Sequence, residues 1–298
     1  DAALDAVRVR GAVRRAMQCC ATSITATDAI TGTERQLPLA AHSRMVVVGA
    51  GKASVPMLRG VLDVLPRERV VAATVVTNDN AAATAASDAA GGAAVGATKI
   101  MVGTHPVPSE QNVAACDEIL NTLRSATLTS DDVVVVVISG GGSALLARPR
   151  CSLPQLAALN QALLRSGAPI EAVNCVRKHV SLVKGGQLAV AAAPAAVLAL
   201  VVSDVVGDDL SVIASGPTVA DRTTLHDARN VLLKYNVLQY LPASDDHVDV
   251  DAFMKAYRFD ETPKEGDVCA TNMIILNNGV ALRAATTAAA AATGCNVI

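Results

Sequence analysis

The chain has 298 residues, 51% hydrophobic and 17% charged, with 25 basic side chains against 27 acidic ones and a formal net charge of −2. So much apolar material excludes a disordered chain, and the lack of a basic surplus excludes a nucleic-acid partner, whose counterions clustered cations must displace. The longest apolar run, Ala189 to Val202, contains Pro194 and falls short of the roughly 18 residues a membrane span requires, so no membrane partner is expected.

In chain order, the first patterned segment is 7–20, where Arg8, Arg10, Arg14 and Arg15 sit between apolar positions. It reads as an amphipathic surface helix, with a weak similarity to a mitochondrial transit peptide; a cytoplasmic location is expected. Short β-branched runs then predict strands at Met45–Val48, Val70–Val76, Ile100–Val102, Val133–Ile138, Val197–Val202 and Met273–Leu276. Polar residues are nearly absent from them, as expected for strands covered on both faces. Helical stretches are predicted at about 52–65, 110–125, 154–166, 170–192, 224–235 and 279–293. This alternation predicts an α/β fold, a Rossmann-like, doubly wound and mainly parallel sheet. The Ala-rich stretch Ala81–Ala97 has low complexity and predicts a surface loop or a loosely packed helix.

At roughly 150 residues per domain, about two domains are expected. Residues 241–268 crowd charged side chains around Pro263 and Gly266 and read as a linker or surface excursion. The expected division is a large Rossmann-like domain over 1–268 and the start of a second, smaller α/β domain over 269–298. A strand–helix–strand unit opens near Thr271 and stops at Ile298 inside its second strand, so the sequence reads as truncated. The seven cysteines, with no C-x-x-C pair and no zinc spacing, read as buried free thiols in a reducing compartment.

In open α/β sheets the ligand lies beyond the carboxyl ends of the strands. Gly49-Ala50-Gly51-Lys52 follows the first strand; it is no P-loop, because Val46 and Ala53 break that pattern, and Ser54 breaks the dinucleotide fingerprint. A cation at a helix start opposes the helix dipole, so Lys52 and Gly51 point to a bound anion there, although a tight turn alone also accounts for the glycines. Ser139, Gly140, Gly141, Gly142 and Ser143 follow the fourth strand and expose backbone amides that can surround an anion. Arg177 and Lys184 are seven residues apart and would share a face of one helix, as a phosphate or carboxylate clamp or as a solvated basic face. Asp204 and Asp208 follow the fifth strand, where an Asp can hold Mg2+, accept a hydroxyl proton or cap the next helix.

Five motifs occur in order: Gly49-Ala50-Gly51-Lys52-Ala53, Thr104-His105-Pro106-Val107-Pro108, Ile138 to Leu145, Asn174 to Gly186, and Val202 to Asp208 followed by Ile213 to Thr218. Together they resemble the glycerate 2-kinases whose C-terminal half is the MOFRL domain, a family historically also labelled hydroxypyruvate reductases. The resemblance is dense over 45–220 and looser to 298. It implies phosphorylation of D-glycerate at its 2-hydroxyl by ATP with Mg2+, in a cleft between a large Rossmann-like domain and a smaller C-terminal one, by a monomer or homodimer in serine and glyoxylate metabolism. The family's later glycine-rich motif and catalytic arginine are not in this sequence.

The roles expected are Lys52 and the Ser139–Ser143 amides on anionic oxygens, Arg177 or Lys184 assisting, and Asp204 orienting or deprotonating the hydroxyl. Asp208 is the second choice for base or metal contact, so the metal expectation rests on Asp204 or Asp208. Two other readings stand beside this one: an NAD(P)H-dependent hydroxypyruvate reductase and a non-catalytic metabolite-binding module.

Overall fold

Six consecutive β-branched residues, Val133–Ile138, are buried along their whole length and lie near the middle of the sheet. Around them the computed structural model describes residues 8–81, 83, 97–242 and 249–293. Helix α1 (Val9–Ala16) leads into a three-stranded antiparallel sheet of β1 (Met17–Cys19), β2 (Ser23–Thr27) and β3 (Glu34–Pro38). The main sheet then begins with β4 (Met45–Ala50), α2 (Ser54–Val64), β5 (Val70–Thr77), β6 (Ala97–Val102), α3 (Glu110–Ser125) and β7 (Val133–Ile138). After it come α4 (Gly142–Leu145), α5 (Leu153–Arg165), α6 (Ile170–His179), α7 (Gln187–Ala191) and β8 (Ala196–Val202). Last are α8 (Leu225–Lys234), α9 (Val250–Ala256), β9 (Ala270–Leu276) and α10 (Asn278–Thr293).

The six strands β6-β5-β4-β7-β8-β9 pair in parallel throughout. Counted from β4 the order is 3-2-1-4-5-6, the doubly wound order whose topological switch lies between the first and fourth strands. Alternate residues of each strand feed two cores. Val47, Val135 and Leu200 pack with Met57, Leu58 and Val61 of α2, while Val46, Val48, Val134 and Val136 pack with Cys116 and Ile119 of α3. At the amino ends of the two central strands Arg44 clasps Asp132, Nη2 to Oδ2 at 2.6 Å. Burial pushes the Asp132 carboxyl up, but hydrogen bonds from Arg44 and Thr129 outweigh it and hold that carboxyl well below the carboxylate range. Among the described residues no helix is long and apolar enough to cross a membrane.

Four differences from expectation have local causes. The antiparallel sheet over 17–38 was not foreseen; its strands are short and carry polar residues such as Gln36 and Thr25. The helix expected over 170–192 is broken after His179, because Val180 and Leu182 turn aside to bond the backbone of 148–150. Gly185 and Gly186 then take φ of 57° and 84°, which no right-handed helix accommodates. The segment 241–268 contains α9, whose Phe253 and Met254 join a third core with α5, α6 and α8. Residues 269–298, expected to open a separate domain, place Ala270–Leu276 beside β8 in the same sheet, since Met273 to Leu276 bury against it. The second strand expected up to Ile298 and most of Ala81–Ala97 lie outside the described residues.

Candidate active site

A cavity of about 310 Å³ opens beyond the carboxyl ends of β6, β7 and β8, close to the topological switch. Gly140, Gly141, Gly142 and Ser143 line it from the turn after β7, Arg177 and Lys184 from α6 and the loop behind it, and Asp204 from the end of β8. Of the candidate residues, then, seven meet at one cavity. Its charged lining comprises Arg148, Arg177 and Lys184 against the single carboxylate of Asp204. Such an imbalance in a concave site favours an anionic ligand.

The turn after β7 is built to leave amides unpaired. Gly142 donates to Ser139, and Ala144 and Leu145 donate back to Gly141, starting α4. The amides of Gly140, Gly141 and Ser143 meet no acceptor among the described residues. Gly141 holds φ of 81°, a left-handed conformation that costs glycine nothing. The Ser143 hydroxyl lies 3.2 Å from that of Ser215, which bonds Asn174 Oδ1 at 3.1 Å and braces the turn from below.

Arg177 is half-buried; its Nε donates to Asn160 Oδ1 at 2.7 Å, and it has no carboxylate partner among the described residues. Burial alone lowers its pKa, the sign of a cation that water and protein only partly solvate. Lys184 is 7% exposed and spends two donors on the carbonyls of Ser143 and Leu146, each at 2.8 Å. It therefore ties down the end of α4 while still lining the cavity. Burial pulls its ammonium to about 8, helped by neighbouring Arg177 and opposed by Cys116. The two cations share the cavity wall without sharing a helix.

Four candidates stand outside the lining: Gly51, Lys52, Ser139 and Asp208. Lys52 is exposed beside the turn, its Cε 3.3 Å from where a Cβ on Gly141 would stand. Ser139 is buried, and its hydroxyl accepts the Ala53 amide at 3.0 Å. Gly51 packs against Ser139, which leaves no room for a side chain at 51. Asp208 turns to Asn277 and lines a separate hollow with Lys178 and Asp221. At the start of α2 the amides of Gly51, Lys52, Ala53 and Ser54 all bond protein acceptors (Val76, Gly140, Ser139 and Gly51), so none is left to hold a pyrophosphate in the dinucleotide manner.

Two polar lining residues, Arg148 and Asn160, were not singled out in the sequence. His105 stands in one of the five motifs but was given no role there. Arg148 is paired with Asp117 at 2.6 Å. Asn160, on the amphipathic α5, carries no sequence signal. Among the described residues no three His, Cys, Asp or Glu side chains gather into a metal cage.

The chain is similar to known proteins over most of its length. It is 40% identical over 278 residues, 93% of this chain, to an Agrobacterium vitis protein named "Putative hydroxypyruvate reductase". It is 35% identical over 243 residues, 81% of this chain, to the glycerate 2-kinase of Pyrococcus horikoshii. A crystal structure of a Pyrococcus horikoshii protein matches at a TM-score of 0.77 and 32% identity, covering 98% of this chain and 61% of that one. The glycerate kinase structure from Thermotoga maritima matches at a TM-score of 0.72 and 30% identity, covering 98% and 60%. The chain spans 58% and 51% of the lengths of the two curated relatives. The model of the family described as "Domain of unknown function (DUF4147)" matches residues 1–248, and the chain belongs to that family.

Proposed function

We propose that the cavity takes D-glycerate and the γ-phosphoryl group of ATP, and that the protein transfers that group to the 2-hydroxyl, giving 2-phosphoglycerate and ADP. The observation that carries this reading is the unpaired amides of Gly140, Gly141 and Ser143 beside Arg177 and a lone Asp204. Donors without acceptors suit phosphoryl oxygens, and one carboxylate suits a hydroxyl. The names of the Pyrococcus and Thermotoga relatives support the same chemistry.

In this scheme the glycerate 2-oxygen attacks phosphorus, the bond to the ADP oxygen breaks, and the hydroxyl proton passes to Asp204. Phosphoryl transfer asks mainly for positioning and charge neutralisation. The loop amides and Lys52 supply the second of these, Lys184 holds the loop, and Arg177 orients the acceptor. Mg2+, when bound, neutralises phosphate oxygens. Among the described residues there is no three-ligand cage, so Asp204 would be the carboxylate to hold it, with the remaining ligands from phosphates and water, as is usual for this ion. Asp208, committed to Asn277, fits that part less well.

The name of the Agrobacterium relative favours the reductase reading. The fully engaged amides at the start of α2 count against it. Incubation with ATP, Mg2+ and D-glycerate, followed by 31P NMR, is expected to show 2-phosphoglycerate. NADH oxidation with hydroxypyruvate and no phosphorylated product would reverse the choice. Glycerate binding without turnover of either cofactor, in a protein of the relatives' full length, would leave a binding module.

A further inference from the structure

His105 lies outside every role assigned so far. It comes from the loop after β6, lines the cavity, and its half-buried ring makes no hydrogen bond to any described residue. Its position relative to Gly141 is defined: a Cβ there would stand 3.1 Å from His105 Cδ2 and 3.3 Å from Nε2. Lys52 Cε is 3.3 Å from the same point. Two polar side chains from different loops thus reach the outer face of one glycine whose amide is also unpaired.

Ring nitrogen, ammonium and backbone amides together offer donors in several directions, and nothing described here accepts from them. That geometry suits an anion with three exposed oxygens better than a planar one. Arg177 presents the other kind of contact. With Nε fixed on Asn160, its terminal N–H groups form a planar fork matched to a carboxylate.

We infer that His105 contacts the phosphoryl group, completing with Lys52 and the Gly141 amide a phosphoryl pole distinct from the carboxylate contact at Arg177. The assignment of the two poles to one phosphorylated hydroxy acid rests on the kinase reading above; the anion contact at His105 does not. Because the ring makes no hydrogen bond among the described residues, its removal should leave the fold intact.

The test uses this chain, its His105→Ala and His105→Gln variants, and inorganic phosphate as the probe. On titration the His105 imidazole 15N resonances should move, and His105→Ala should weaken phosphate binding about tenfold, the scale of one hydrogen bond to a charged group. His105→Gln, which keeps an N–H donor, should recover most of that loss. D-Glycerate affinity should be the same in all three proteins. Unmoved resonances, equal phosphate affinity in all three, or no phosphate binding by the wild-type chain would overturn the inference. A parallel ATP-to-glycerate assay separates the two claims. Wild-type transfer rates in His105→Ala would sink the His105 contact alone. Phosphate bound through His105 without any transfer in a protein of the relatives' full length would sink the kinase reading alone.

Discussion

The carboxylate of Asp204 lies against the backbone of Gly140, so close that a Cβ at 140 would overlap Oδ2. The second residue after β8 and the first glycine after β7 are thereby locked in one relationship. Gly140 does not need a left-handed conformation; it needs to be small.

Gly140→Ala follows directly. The colliding atom is the far end of a flexible side chain, so the carboxylate can swing aside at little cost in stability. The group proposed to orient the hydroxyl would then be displaced by about an ångström, which in positioned catalysis costs roughly a hundredfold. We expect kcat to fall by about that factor while Tm moves by only a few degrees. Unchanged kcat with an unchanged Tm would show that Asp204 takes no part in the reaction.

Arg177→Lys should raise the Kd for D-glycerate by about tenfold or more, because an ammonium cannot reproduce a planar two-donor fork. Asn160→Ala should act in the same direction and more weakly, since it only frees the Nε that holds the guanidinium in place. Calorimetric titration with D-glycerate measures both. An Asn160→Ala effect equal to or larger than that of Arg177→Lys would mean that Asn160, not the arginine, meets the ligand.

The parallel sheet was legible because its strands are short apolar runs rich in β-branched residues, and Val133–Ile138 has the same bounds in sequence and structure. The glycine turn at 139–143 was legible for the same reason, since five valines and an isoleucine followed by Ser139 and three glycines leave little else to read. What escaped depends on contacts distant in sequence. Asp208 and Ser139 have the residue types of a site, yet Asn277 claims the carboxylate from 69 positions away and Ala53 claims the hydroxyl from 86. Helix α9 was hidden because Phe253 and Met254 sit among charges that belong to its solvent face. The break after His179 was masked by continued apolar residues through Ala192, whose partners are strand β8 and α3 rather than a longer helix.

Lys184 gives the most demanding prediction, because its sign is opposite to that of most paired cations. The ammonium is buried and sits at about 8 against an ordinary value of 10.5. Between those values the unfolded chain holds more protons than the folded one, so this group's contribution to stability rises with pH through that window. Below about pH 8 the folded protein bears the full cost of a buried charge, offset in part by the carbonyls of Ser143 and Leu146. Lys184→Met removes the titration and leaves those two carbonyls without their donor. Urea unfolding of both proteins at pH 7 and pH 9.5 isolates the effect, because every other titrating group cancels in the difference. Wild-type stability relative to the variant should increase by about 2 kcal/mol over that interval. Phosphate affinity should be lower in the variant at both pH values, since the end of α4 is no longer tied down and the loop amides lose their alignment. A stability difference that stays flat or falls as pH rises would mean that the two carbonyls, not burial, govern the proton on Lys184.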